Sequence, residues 1–102
     1  MGKGFGGMMK QAQQLQARMI QLQEEVGQRR VEASAGGGMV VAVINGKRQL
    51  LELKIAPEAT EDIEMLQDMI VAAVNSAQAE AQEMMEKALS GLTGGLKLPG
   101  MF

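Results

Sequence analysis

The chain has 102 residues, 46% apolar and 22% charged, with 13 glycines, ten methionines and no cysteine, histidine, tryptophan or tyrosine. Without cysteine or histidine there is no disulfide and no thiolate nucleophile, and the commonest general base and metal ligand are missing. One small domain (1–102) without a cofactor, metal or catalytic role is expected.

Ten basic against twelve acidic residues leave a net charge of −2, but the charges are not mixed. Residues 1–22 hold Lys3, Lys10 and Arg18 and no acid, whereas residues 57–90 hold eight acids and only Lys87. The chain has a basic front and an acidic back. No apolar run approaches the ~18 residues that a membrane span needs. Met1-Gly2 lacks the hydroxyl residue a myristoylation motif wants at position 6, which is Gly6. A cytoplasmic location without membrane partners is the expectation.

Glycines punctuate the chain: Gly2, Gly4, Gly6 and Gly7 in front, Gly36-Gly37-Gly38 in the middle, and Gly91, Gly94, Gly95 and Gly100 at the back. Flexible ends are expected at about 1–7 and 91–102. From about Met8 to Val26, the residues Met8, Ala12, Leu15, Met19, Leu22 and Val26 recur at spacings that make a heptad seam on a helix. Gly27 is placed to end it.

Strand periodicity follows. Val41 and Val43 alternate with Val40, Ala42 and Ile44, and Asn45-Gly46 signals a two-residue hairpin turn. Leu51, Leu53 and Ile55 alternate with Leu50, Glu52 and Lys54 on the return strand. Arg29 to Ser34 supplies an edge strand, and Pro57 stops the sheet. The last segment, about Glu61 to Leu89, is a helix capped by Thr60 or Asp62. Its stripe is Ile63, Leu66, Ile70, Ala73, Ala77, Ala81, Met84 and Ala88. The class is α+β, an α-β-β-β-α subunit with a small antiparallel sheet and two long helices.

Helices of that length overhang strands of ~20 Å, and an overhanging apolar stripe needs a cover. A two-fold homodimer with the helices as projecting arms is the simplest solution. Met65 and Met69, off the main stripe, together with Val40, Ala42 and Ile44, are the candidate dimer contacts.

Gly2-Lys3-Gly4-Phe5-Gly6-Gly7 is no P-loop, since no strand can precede it. Glu80, Glu83 and Glu86 lie on a solvated helix face and lack the loop of a calcium site. More suggestive is the strip of Lys10, Gln14, Arg18 and Gln21, well away from the apolar seam. Its ordinary reading is a solvated face, yet lysine and arginine neutralise phosphates and glutamine bonds phosphates or base edges. A two-fold dimer doubles the strip. The near absence of aromatics argues against stacking on single strands.

Several stretches carry a resemblance. They are Met8-Met9-Lys10-Gln11-Ala12-Gln13-Gln14-Leu15-Gln16, then Gly38 to Gly46, then Leu53-Lys54-Ile55-Ala56-Pro57, then Asp62 to Ala77 and finally Leu98-Pro99-Gly100. In order and spacing this resembles the YbaB/EbfC family of bacterial nucleoid-associated proteins. The resemblance implies a tweezer-like homodimer that binds double-stranded DNA at its helical arms and affects nucleoid organisation and gene expression. The basic residues Lys3, Lys10, Arg18 and Lys87, with Gln14, Arg29 and Arg30, are the candidate DNA contacts. The alternative is a non-enzymatic adaptor that holds an unidentified protein partner by its arms or by the apolar tail of Leu92, Leu96, Leu98, Met101 and Phe102.

Overall fold

The computed structural model describes residues 3–93, with side chains from 6 to 92. In chain order these form α1 (Lys3–Gly27), β1 (Arg30–Ala35), β2 (Val40–Asn45), β3 (Leu50–Ile55), a 3₁₀ turn (Pro57–Glu61) and α2 (Ile63–Thr93). This is the expected α-β-β-β-α order. The strands make one antiparallel sheet in the order β1-β2-β3.

Both hairpins depend on left-handed backbone. Gly36, Gly37 and Gly38 all have positive φ, at 65°, 67° and 95°, which explains the triplet between β1 and β2. The second turn is longer than the two residues that Asn45-Gly46 suggests. Arg48, at φ 66°, takes the left-handed position, and its N–H donates to Asn45 O at 2.9 Å. Asn45 Oδ1 accepts from the N–H groups of Lys47 (3.0 Å) and Gln49 (2.9 Å), so one amide side chain holds the loop.

α2 lies across β1 and β2. Ala73, Ala77 and Ala81 are fully buried, and their small side chains let the helix settle close to Val40, Ala42, Ile44 and Ala33. The buried stripe is rotated from the expected one. Met69 is part of it, its sulfur against Gly36, while Ile63 is exposed. Asp62 caps α2 by accepting from Met65 N–H at 3.1 Å, whereas Thr60 turns back to donate to Pro57 O at 2.6 Å. On the other sheet face, ion pairs join Arg30 to Glu52 (2.8 Å) and Lys54 to both Glu32 (3.9 Å) and Glu52 (3.8 Å). Val43, in register between Glu32 and Glu52, is fully buried on that face.

The front end departs from expectation. α1 continues through Gly4, Gly6 and Gly7, and α2 continues through Gly91. Each glycine costs a helix ~1 kcal/mol relative to alanine, but extending an existing helix avoids the unfavourable nucleus. The expected loosening at Gly2 and at Gly94, Gly95 and Gly100 lies outside the described residues.

Candidate nucleic-acid interface

α1 and α2 run antiparallel where they meet. Ile20, Gln23 and Glu24 share a depression with Lys47 and Met85, and further out Arg18, Gln21 and Leu22 share one with Leu92. Gly46 seats the root of α1, its N–H donating to Gly27 O at 3.1 Å. Lys47 pairs with Glu24 at 3.6 Å. Among the described residues, α1 from Arg18 back to Lys3 runs on beyond the end of α2 as a single-helix arm of roughly 22 Å at ~1.5 Å per residue. The described molecule measures 72 × 24 × 16 Å.

The arm carries Lys10, Gln14 and Arg18, all exposed. Neither Lys10 nor Arg18 is ion-paired among the described residues. Lys10 and Arg18 are eight residues apart, about 12 Å along the axis, close to the ~12 Å width of the major groove. Lys3 opens the helix, and its side chain lies outside the described residues.

The other candidate cations are placed differently. Arg29 is exposed at the root of the arm and lines a depression with Glu80, Glu83, Met84 and Lys87. Arg30 is held by Glu52 at 2.8 Å, and Lys87 by Glu83 at 3.0 Å, one turn back on α2. Both bring a carboxylate with them, whereas Lys10 and Arg18 on α1, and Arg29 and Arg48 near its root, have no ion pair among the described residues.

The residues expected at a dimer interface also separate. Val40, Ala42, Ile44 and Met69 are buried within the chain's own core, and α2 covers them. Met65 is exposed. Exposed aliphatic residues appear elsewhere: Leu50, Leu51, Leu53 and Ile55 are 37 to 48% exposed on β3, an edge strand that α2 leaves uncovered. Ile63 and Val71 of α2 are exposed as well. In the sequence these residues read only as the return strand, because alternation shows which residues share a face and not whether the same chain covers it.

A match to the family model of the YbaB/EbfC DNA-binding family covers residues 1–96. The chain belongs to the YbaB/EbfC DNA-binding family. It is 52% identical to a nucleoid-associated protein of Pelotomaculum thermopropionicum, over 100% of this chain and 99% of that protein. A nucleoid-associated protein of Moorella thermoacetica is also 52% identical, over 98% of this chain and 99% of its own length. The fold matches the crystal structure of the uncharacterized protein HP0035 from Helicobacter pylori at a TM-score of 0.76 and 25% identity, covering 92% of this chain and 99% of that one. For this YbaB/EbfC chain, no cluster of metal-ligating side chains occurs among the described residues, and no described helix is long and apolar enough to cross a membrane.

Proposed function

We propose that this chain is a nucleoid-associated protein of the cytoplasm that binds duplex DNA as a homodimer, mainly through phosphates, and so influences nucleoid organisation and gene expression. The projecting arm carries this reading. It presents Lys10, Gln14 and Arg18 on a slender helix with no acidic residue among positions 1–22. Side chains included, a helix is ~10–12 Å across and fits a major groove or tracks along phosphates. Lys3 adds to the arm, Arg29 marks its root, and Arg30 and Lys87 contribute less because carboxylates accompany them.

Phosphate binding releases counterions, so affinity must fall with salt. Fluorescence anisotropy of a labelled duplex at several salt concentrations is expected to give a linear log–log plot with a slope of about −0.9 per phosphate contacted. Absence of binding at low salt would remove the DNA role from this chain.

Dimerisation is assigned to the β3 edge with the adjoining flank of α2. Leu53 and Ile55 lie in register with Ala42 and Val40, so they share the face that α2 covers only over β1 and β2. A second copy laid against that edge would shield Leu53, Ile55 and the open strand edge together. Leu53→Glu is expected to shift the sedimentation coefficient from dimer to monomer. A variant that sediments as wild type would place the interface elsewhere.

A further inference from the structure

The cations of the arm are arranged about a glutamine. Lys10, Gln14 and Arg18 are exposed and follow one another at intervals of four residues. Each interval advances ~6 Å along an α-helix and turns ~40° around it. Seen from Gln14, Lys10 lies toward the front of the helix and ~40° to one side. Arg18 lies toward the root and ~40° to the other side. Gln11, Gln13, Gln14 and Gln16 are all exposed, but only Gln14 occupies this middle position.

The two directions along the helix from Gln14 differ. Seven residues before it, ~20° off its line, stands Gly7, where an added Cβ would meet no atom among the described residues. Seven residues after it stands Gln21, whose Nε2 donates to Glu25 Oε1 at 3.5 Å, so that amide is already held by an acid. Gln14 itself makes no hydrogen bond among the described residues. The front half of the line is therefore slender, uncharged by acids and furnished with one unengaged amide between two cations.

Laid in a major groove with Gln14 toward the floor, such a helix turns Lys10 toward one phosphate wall and Arg18 toward the other. The longer charged side chains then reach outward to the strands, and the shorter amide meets the base edges. Its oxygen can accept from adenine N6 while its nitrogen donates to adenine N7, a donor and acceptor pair that no other single base presents in that groove. We propose that Gln14 is the specificity-determining residue of the arm and selects an adenine at one position per arm. The inference rests on duplex DNA being the arm's ligand and adds to that reading a dependence on base as well as on charge.

The probe is an alternating adenine–thymine duplex beside the same duplex with 7-deazaadenine in place of adenine, which removes N7 from the major groove and leaves base pairing intact. Full-length protein and its Gln14→Ala variant are titrated against both by fluorescence anisotropy at several salt concentrations. Gln14 is exposed and alanine is the better helix former, so the variant keeps the arm. The parent is expected to bind the deaza duplex on the order of ten-fold more weakly than the ordinary one. Gln14→Ala is expected to bind the two alike and to keep the parent's salt slope, because no phosphate contact has been removed. A parent that binds both duplexes alike, its affinity still falling with salt, would overturn base reading by Gln14 and leave the DNA role standing. A variant that still discriminates would also overturn it, by giving the reading to another residue. A flattened salt slope in the variant would do the same, by making Gln14 a phosphate contact. Absence of binding to either duplex at low salt would overturn the DNA role and this inference together.

Discussion

Gly46→Ala is expected to lower the unfolding free energy by about 2–3 kcal/mol, the upper range for forced overpacking. A Cβ at position 46 would run into the carbonyl group of Val26 and the Cα of Gly27, all backbone atoms that no rotamer change can move. The same residue donates its N–H to Gly27 O at 3.1 Å, so the clash falls on the contact that seats the arm. Gly36→Ala is the informative comparison. Gly36 has φ 65°, and its added Cβ would meet the side chain of Met69, which can swing aside. Backbone strain then dominates, at about 1 kcal/mol. Urea unfolding of the two variants should rank them in that order. Equal losses would show that the root of α1 yields more easily than its backbone packing implies.

The second large effect is on affinity. Lys10→Glu with Arg18→Glu replaces two exposed cations of the arm with acids, which would change four sites in the proposed dimer. Duplex affinity at ~0.1 M salt is expected to fall on the order of 100-fold or more, and the salt slope to flatten by up to about 3.6. Both residues are exposed and lie outside the buried core, so sedimentation and thermal unfolding should stay as in the parent. Arg30→Glu is the matched control. Arg30 already sits 2.8 Å from Glu52, so its reversal should cost DNA affinity far less. An undiminished affinity in the double variant would remove the arm from the DNA contact.

Much of the architecture was legible because its signals are local. The 4-3-4-3-4 seam from Met8 to Val26 can only be one face of a helix, and Val40 to Ile44 can only be a strand beside a turn. Three features depended on information that local spacing does not hold. The turn after Asn45 is lengthened because Gly46 must pack on Gly27 and Arg48 on α2, where Gln78 Nε2 donates to Arg48 O at 3.1 Å. Met69 joined the core because the Gly36 turn leaves room for its sulfur. Val40, Ala42 and Ile44 were offered to a second chain, yet α2 closes over them with its alanines. For the candidate site, the strip of Lys10, Gln14 and Arg18 was visible as spacing and charge. Which cations stay free of carboxylates was not, since Glu52 lies 22 positions from Arg30 and meets it only through the sheet.

The length of the molecule resolves how a chain of net negative charge can approach a polyanion at all. At 0.1 M ionic strength a charge is felt over ~10 Å, a small part of the 72 Å span. A duplex therefore senses the end of the molecule nearest to it and not the total. Rotated body-first, the acids of α2 are repelled, and rotated arm-first, Lys10 and Arg18 are drawn in. If the arm is the DNA contact, as proposed, the field would turn an arriving molecule into that orientation before contact. With the arm on the duplex, as proposed, the acids of α2 would face outward and would hold neighbouring molecules apart.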